Sequence, residues 1–328
     1  MREVTGFDRL PLPSQSAAMS DLLVLGPQHR APSLSPRLAA AGMIGPIAAI
    51  TAGWQEREAE LAALEEHLGQ PVQDLRLYTR AETVFAEDRE YHEAYRARQS
   101  ALRETQDLYR LQLEHAKAAA RELYLAQRAT RALRRARVAA VTALRGLDAR
   151  HLASIEALHR RFEQQCRSGE RPSIVRQFTE LKRIVDAAST VLIAGGHVAV
   201  LVNRLRLFGM RALLGHKPIA AWSAGAMALT TRVLLFHDHP PQGAGNAEIF
   251  ECGLDLVPHA VFLPHAATRL AINDRKRTAL LARRLRPASC YTLDDCDWLL
   301  FRDGVLRAGE GSRRLAGPGP PAAMEARA

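Results

Sequence analysis

Short apolar runs alternate with helical patterns in the first part of the chain. Runs at 21–26, 46–54 and 74–79 predict three strands. Between the second and third runs, leucines 61, 64 and 68 recur at helical spacing before Gly69, a residue type that often ends helices. The alternation of strands and helices predicts that residues 20–85 form the first part of a parallel α/β sheet.

The pattern changes over residues 86–170, which contain no proline and only two glycines, Gly146 and Gly169. Apolar or small residues recur every seven positions, which predicts one helical seam: Tyr95, Leu102, Tyr109, Ala116 and Leu123. We expect a helical hairpin inserted into the α/β domain, with Gly146 at the break between its two helices.

The α/β pattern returns over residues 171–308. Segments "STVLIAGG", "PIAAWS" and "AVFLPHA" predict buried strands, and two closing strands meet at Asp303-Gly304, a common hairpin turn pair. The fold class is therefore α/β, with a mostly parallel sheet flanked by helices and a long inserted helical hairpin. Residues 1–19 are expected to be a flexible N-terminus, and the Gly-, Pro- and Ala-rich residues 309–328 a disordered tail.

Composition narrows the class of protein. The 328 residues are 47% hydrophobic, which is typical of a globular chain, and no run of eighteen apolar residues predicts a membrane span. Four cysteines without a CxxC pair indicate neither a disulfide framework nor structural zinc, and no secretory signal is recognised, so a cytoplasmic location is expected.

The formal net charge is +10, and many arginines lie in the helical insertion. Its basic face comprises Arg128, Arg131, Arg134, Arg135 and Arg137. Such a face is compatible with nucleic acid, but it lacks aromatic or glycine-rich interleaving. A solvated helix or a surface for homo-oligomer formation is the favoured interpretation, and no nucleic-acid partner is expected. The pair His237 and His239 lacks a matching ligand set, so no metal is expected.

The segment "IAAWSAGAMAL", residues 219–229, is the strongest candidate for chemistry. A predicted strand stops at Ser223 and a helix follows. Small residues, Ala221 and Gly225, flank the serine two positions on either side, as a tight nucleophile elbow requires. The alternative is that Ser223 caps the following helix.

Two further segments favour the nucleophile. Gly195 and Gly196 end a predicted strand and let a backbone amide approach a ligand. His265 follows another apolar run and has a side chain suited to accept a proton near neutral pH. Strand ends in an open parallel sheet are where ligands bind, so these segments are expected to share one site.

With these motifs the chain resembles the serine peptidase family that contains aspartyl dipeptidase (peptidase E) and cyanophycinase. The resemblance is carried by "AGG" at 194–196, "WSAGAMAL" at 222–229 and "PHAATR" at 264–269, with a fainter match at "AAITAGW", 48–54. It covers about 20–80 and 172–305 and omits the insertion. It implies a class I glutamine amidotransferase-like fold with flavodoxin-like layering.

The resemblance also implies residue roles. Ser223 is the expected nucleophile, His265 the base, and Asp238, fifteen residues after the serine, the orienting carboxylate. Competitors for that last role are Glu248, Glu251 and Asp255. The expected oxyanion donors are the amides of Gly196 and Ala224. Gly195 and Arg277 are the expected substrate-binding residues, with Arg269 and Arg275 nearby in the basic helical region.

Two functions follow from these observations. The first is a serine hydrolase that cleaves a small peptide or amide through an acyl-enzyme and needs no cofactor. The second is a catalytically divergent amidotransferase-like scaffold that binds partners through the helical insertion. The family often has an aromatic residue after the histidine, where this chain has Ala266, so substrate choice stays open.

Overall fold

A computed structural model of the protein describes residues 20–238, 245–315 and 322–323. The predicted flexible N-terminus, 1–19, lies outside the described residues, and so do 316–321 and 324–328 of the predicted tail.

Thirteen strands are described: β1 (Leu22–Leu25), β2 (Ile47–Ile50), β3 (Val72–Asp74), β4 (Thr190–Ile193), β5 (Ile219–Trp222), β6 (Arg232–Leu235), β7 (Glu248–Cys252), β8 (Ala260–Pro264), β9 (Ser289–Leu293), β10 (Trp298–Arg302), β11 (Val305–Glu310), β12 (Arg313–Arg314) and β13 (Ala322–Ala323). The main sheet has the order β11-β10-β1-β5-β4-β2-β3. Its five strands from β1 to β3 are parallel, and β10 and β11 close one edge in antiparallel pairing.

Eleven α-helices are described: α1 (Leu34–Ala41), α2 (Ala62–Leu68), α3 (Leu77–Glu87), α4 (Arg89–Leu125), α5 (Arg131–Cys166), α6 (Pro172–Ala187), α7 (Val198–Leu207), α8 (Met210–Leu214), α9 (Ala224–Ala228), α10 (Ala266–Arg269) and α11 (Arg275–Leu285). Short 3-10 segments occupy Ala52–Arg57 and Ser168–Glu170. Helices α4 and α5 are the predicted helical hairpin, and the described helices include none that is long and apolar enough to cross a membrane.

Both faces of the main sheet are covered, which is why its strands are continuous apolar runs. In β1, Leu22 and Val24 pack into the larger core, which also receives the insertion. Leu23 and Leu25 point to the opposite face and pack with α1. The parallel strands therefore present their carboxyl ends together at one edge, as the expected α/β class requires.

The third strand was predicted at the wrong place. It spans Val72–Asp74, and Leu77 already begins α3. The Glu58 carboxylate accepts hydrogen bonds from the amides of Tyr78 and Thr79, at 2.8 and 2.9 Å, and so caps the first turn of α3. A residue nineteen positions upstream of the helix supplies this cap, so the local pattern could not reveal the helix start.

The break in the helical hairpin was also predicted at the wrong residue. Gly146 lies inside α5, although an interior glycine costs a helix about 1 kcal/mol relative to alanine. The chain instead turns between Leu125 and Arg131, where the Thr130 hydroxyl accepts the amide hydrogen of Leu133 at 3.1 Å. The cap at Thr130 therefore sets the boundary, as threonine does at many helix starts.

The predicted turn at Asp303-Gly304 is confirmed between β10 and β11. Both residues have positive φ, 51° and 69°, as a two-residue hairpin turn demands. Part of the predicted tail is also described, since residues 309–315 include the end of β11 and all of β12.

A buried ion pair fixes the insertion to the α/β domain. The Arg284 guanidinium on α11 donates to both carboxylate oxygens of Asp148 on α5, at 2.7 Å each. The Tyr109 hydroxyl on α4 donates to Asp148 at 2.8 Å, and Arg284 also donates to the Ala247 carbonyl at 2.6 Å. The Arg284 and Asp148 side chains are 3% and 2% exposed, so their charges compensate each other away from water.

A second contact joins the hairpin to β7. His151 Nε2 lies 2.9 Å from Gln106 Oε1 and 3.1 Å from the Ile249 carbonyl, while His159 Nε2 lies 2.9 Å from Glu251 Oε1. Burial lowers the pKa of both histidines, an effect that the Glu251 carboxylate opposes at His159.

Formation of a homo-oligomer through the insertion stays a prediction.

We expect Asp148→Ala to lower the free energy of unfolding by about 3–5 kcal/mol, because it leaves the Arg284 charge buried without its partner. The double variant Asp148→Leu/Arg284→Met should lose much less, since it removes both charges. Urea unfolding measures these differences. Glu93→Ala, which breaks an exposed pair with Arg89 on α4, should cost at most about 1 kcal/mol. A loss for Asp148→Ala no larger than for Glu93→Ala would contradict the role of the pair.

Candidate active site

Ser223 occupies a strained backbone position between β5 and α9. Its φ and ψ are 50° and −117°, values that a residue with a side chain rarely adopts. Such conformations cost of order 1–3 kcal/mol and persist where the surrounding structure holds them. Its side chain makes no capping hydrogen bond to α9, although the alternative interpretation of Ser223 as a helix cap needs one. The geometry is that of a sharp strand-to-helix elbow.

Glycines make room for this elbow. A Cβ atom on Gly225 would lie 2.1 Å from the Ile193 carbonyl oxygen at the end of β4, so no side chain fits there. On the other side, a Cβ on Gly195 would lie 2.9 Å from Ser223 Cβ and 3.5 Å from its Oγ. Gly195 thus borders the serine directly, and the two predicted motifs form one site.

The Gly195-Gly196 turn leaves its amides available. Gly196 has φ of 113°, and a Cβ there would lie 2.4 Å from the Gly53 carbonyl oxygen. That same carbonyl accepts the His197 amide at 2.7 Å, which anchors the turn to the end of β2. The amides of Gly195 and Gly196 make no hydrogen bond to another described residue. The Ala224 N–H belongs to the first turn of α9, where amides lack intrahelical acceptors.

His265 lies where β8 passes into α10, with φ of 56° and ψ of 36°. Its amide donates to the Leu293 carbonyl at 2.9 Å, which ties it to the end of the parallel neighbour β9. Burial lowers the pKa of the imidazole, and the nearby charge of Arg269 lowers it further. Asp295 and Asp294 act in the opposite direction. The ring is therefore neutral at neutral pH, as a proton acceptor must be.

The end of β1 connects the histidine segment to the serine. Leu25 pairs with Trp222, so Gly26 lies beside Ser223 at the sheet edge. A Cβ on Gly26 would lie 1.8 Å from the Asp294 carbonyl oxygen. The Asp294 carboxylate in turn accepts the Ala267 amide at 2.9 Å, in the first turn of α10. His265 and Ser223 therefore lie at the same edge, although no hydrogen bond joins their side chains in the described structure.

Asp238 lies at the other end of α10. Its carboxylate accepts the Ala271 amide at 3.1 Å and forms an ion pair with Arg277, and its side chain is 6% exposed. Among the described residues, no hydrogen bond joins it to His265. The structure thus brings together two residues that the sequence assigned separate roles, the orienting Asp238 and the substrate-binding Arg277.

The competing carboxylates also have other partners. Glu248 forms an ion pair with Arg110 at 2.7 Å, and Asp255 forms one with Arg211 at 3.1 Å. Glu251 Oε1 lies 2.9 Å from His159 Nε2. The carboxylates whose charges act on His265 are instead Asp294 and Asp295, just after β9. The sequence "TLDDCD" placed these acids after an apolar run, a signal that sequence analysis did not use.

A second strained residue lies in the segment that contacts the Gly195-Gly196 turn. Gln55, after β2, has φ of 59° and ψ of −124°, close to the values at Ser223. Gly53 in the same segment contacts the Gly195-Gly196 turn. Local sequence gives no signal for this strain, because glutamine does not mark positive φ. The β2 end is therefore part of the site that the motif "AAITAGW" indicated only faintly.

The described residues offer no cluster of three or more His, Cys, Asp or Glu side chains arranged to hold a metal ion. His237 is described, whereas His239 lies outside the described residues.

Comparisons with known proteins bear on this site. Residues 148–308 match the model of Peptidase family S51. Among solved structures, a peptidase from an acI-B1 Actinobacterium aligns at 14% identity with a TM-score of 0.46, over 95% of this chain and 96% of that one. A putative peptidase E protein from Listeria monocytogenes EGD-e aligns at 13% identity with a TM-score of 0.42, over 91% and 100%. A search of curated proteins gave no match.

The matched region contains Gly195, Gly196, Ser223 and His265, together with Asp294 and the part of α5 from Asp148 onward. This confirms the family resemblance that the sequence motifs carried. Over residues 148–308, about half of its length, the chain is similar to peptidase family S51.

Proposed function

We propose that the protein is a serine hydrolase that cleaves a peptide or amide bond through an acyl-enzyme on Ser223. The observation that carries this proposal is the strained backbone of Ser223, at φ of 50° and ψ of −117°, with Gly195 directly beside it. A helix cap needs no such strain, and Ser223 does not cap α9. Strain held at one polar residue beside free backbone amides is a feature of catalytic elbows.

The reaction starts with transfer of the Ser223 hydroxyl proton to the neutral imidazole of His265 as the oxygen attacks the substrate carbonyl. The carbonyl oxygen becomes an oxyanion, which the amides of Gly196 and Ala224 stabilise by hydrogen bonds. His265 then gives its proton to the leaving amine, and the C–N bond breaks. Water attacks the acyl-enzyme with His265 as base, which releases the acid and restores the serine.

This mechanism requires His265 to move within hydrogen-bond reach of Ser223 Oγ when substrate binds, as catalytic hydrogen bonds often shorten only in the complex. Asp294 is the proposed positioning residue for the histidine. Its carboxylate holds the Ala267 amide at 2.9 Å and therefore fixes the first turn of α10, which His265 begins. Asp238, joined to Arg277 and Ala271, stabilises the other end of the same helix.

Arg269 is the proposed partner for a carboxylate on the substrate. Its charge acts on His265, its side chain is partly buried, and it forms no ion pair with a described carboxylate. Burial lowers the pKa of its guanidinium, so an anion beside it would be favoured. This supports acidic peptides, such as Asp-X and β-Asp-X dipeptides, as the first substrates to screen. Arg277 serves this role less well because Asp238 already compensates its charge.

We expect Ser223→Ala to abolish hydrolysis of any dipeptide that the protein cleaves, with a loss of at least about 10⁴-fold in kcat/KM, because the nucleophile is removed. Amine release from a panel of Asp-X and β-Asp-X dipeptides measures the effect. The matched control is Ser154→Ala, which removes an exposed hydroxyl on α5 that only bonds to the Arg150 carbonyl. Equal hydrolysis by Ser223→Ala and Ser154→Ala would exclude the proposed nucleophile.

We also expect two charge variants to move the acidic limb of the kcat/KM profile in opposite directions. Asp295→Asn removes a charge that raises the pKa of His265, so the limb should move to lower pH. Arg269→Gln removes a charge that lowers this pKa, so the limb should move to higher pH. Each shift should be up to about one pH unit, since solvent screens these charges.

The control for this profile is Asp303→Asn, in the turn at the opposite end of β10, which should leave the limb in place. Limbs that coincide in all four proteins, or that move in the reverse directions, would show that His265 is not the titrating base.

A further inference from the structure

A cavity of about 80 Å³ lies between the helical insertion and α11. It is bounded by α4 through Lys117, Arg121 and Tyr124, by α5 through Leu144, and by α11 through Leu280. One water needs roughly 10–15 Å³ in the same measure, so the cavity holds several water-sized groups. Ser223, His265, Gly195 and Gly196 do not line it, which separates it from the proposed catalytic elbow.

Positive charge predominates on its walls. The lining cations are Lys117, Arg121, Lys276, Arg277 and Arg284. The lining carboxylates are Asp238 and Asp274, of which the first is paired with Arg277 and the second caps α11 by accepting the amides of Lys276 and Arg277. Arg284 is compensated by Asp148. Lys117, Arg121 and Lys276 form no ion pair with any described residue, so the cavity carries an excess of positive charge.

Lys117 is the cation that the excess of positive charge in the cavity destabilises most. It is half-buried, and no hydrogen bond from its ammonium to a described residue is formed. Burial and the charges of Arg277, Arg284 and Arg121 together lower its pKa to about 8, and the charge of Asp238 opposes them. An ammonium group half-removed from water without an anionic partner is unfavourable, and a bound anion would relieve it.

The remaining walls are apolar. Tyr124, Leu125, Leu144, Leu270, Leu280 and Leu281 face the cavity. Pockets of this kind, apolar with a few convergent polar groups, suit a small molecule whose charged group is held at one point. The apolar walls disfavour a fully hydrated inorganic ion and favour an anion attached to a short hydrocarbon or aromatic body.

From these contacts we propose that the cavity binds a small organic anion, a carboxylate or phosphate group on a short apolar body, with Lys117 as the principal charged contact. Arg121 and Lys276 lie at the same cavity and add to its positive potential. The site goes beyond the proposed hydrolysis, since the insertion contributes its main charge and Ser223 takes no part. Ligand binding would be a role of the insertion in addition to its packing against the α/β domain.

We expect the affinity of the cavity for an anion to depend on pH. Lys117 has a pKa of about 8 in the protein, and a bound anion favours its protonated form. Binding near pH 8 should therefore take up protons, and affinity should fall as the pH rises through this value. The charged groups that face Lys117 are Arg121 on α4, Asp238, and Arg277 and Arg284 on α11.

The experiment is isothermal titration calorimetry of the full chain with hexanoate and with phenyl phosphate, in two buffers of different ionisation enthalpy at pH 8. Hexanamide is the neutral control ligand. We expect at least one of the two anions to bind with proton uptake, and hexanamide to bind at least about tenfold more weakly. Lys117→Met, which keeps the apolar stem, should weaken anion binding roughly tenfold or more and abolish the proton uptake.

The matched control is Lys182→Met, which removes the same charge from an exposed position beside Asp186. Equal affinities in Lys117→Met and Lys182→Met, or binding of neither anion by the wild type, would overturn the proposal. A thermal melt of each variant confirms that it is folded. Because the readout is binding, its failure is separate from failure of the Ser223 hydrolysis test.

Discussion

The conformation of one serine sets the requirements for its surroundings. At φ of 50° and ψ of −117°, Ser223 needs neighbours without side chains, and the structure provides Gly225 against the Ile193 carbonyl and Gly195 against the serine Cβ. The helix that follows is buried throughout, so packing of α9 offsets the local strain. The glycine that borders the serine also belongs to the turn with available amides. One steric constraint therefore brings together the proposed nucleophile and the proposed oxyanion site.

The parallel sheet explains why residues distant in sequence meet at this elbow. Strands β1, β4 and β5 are adjacent and parallel, so Gly26, Gly195 and Ser223 follow neighbouring strand ends. The β9–β10 connection reaches the same edge through the contact of Asp294 with Gly26. The Asp294 carboxylate accepts the amide of Ala267, two residues after His265, and so connects the sheet edge to the histidine segment. Backbone contacts and the Asp294 carboxylate thus fix the His265 segment relative to the end of the sheet that carries Ser223.

The helical insertion is attached by charge as well as by apolar contact. The Asp148–Arg284 pair joins α5 to α11, and α11 carries Arg277, the partner of Asp238. Lys117 of α4 and the basic residues of α11 line the same cationic cavity. Because Asp238 also holds the end of α10, the insertion and the His265 segment share a connected set of polar contacts. The packing of the insertion therefore contributes to the position of α10, which follows His265.

Much of the fold could be predicted because its signals are local. Continuous apolar runs predicted the buried parallel strands, and a proline-free heptad pattern predicted the hairpin. The start of α3 could not be predicted, because its cap comes from Glu58, which is distant in sequence. The break in the hairpin was assigned to Gly146, because glycine is the stronger helix-breaking signal, although the second helix begins after Thr130. At the site, the motifs predicted that Ser223 and the Gly195-Gly196 turn lie together, and Gly195 borders Ser223 in the structure. The partners of Asp238 and the charges around His265 depend on tertiary contacts that spacing along the chain does not encode.

The proposed hydrolysis requires Ser223 to be an activated nucleophile. Its most direct test is to treat the native protein with a fluorophosphonate and to locate the adduct by peptide-mapping mass spectrometry. We expect one phosphonylated residue, Ser223, with labelling that slows as His265 becomes protonated at lower pH. An adduct on another serine, or an unmodified Ser223 in folded protein after prolonged treatment at neutral pH, would contradict it.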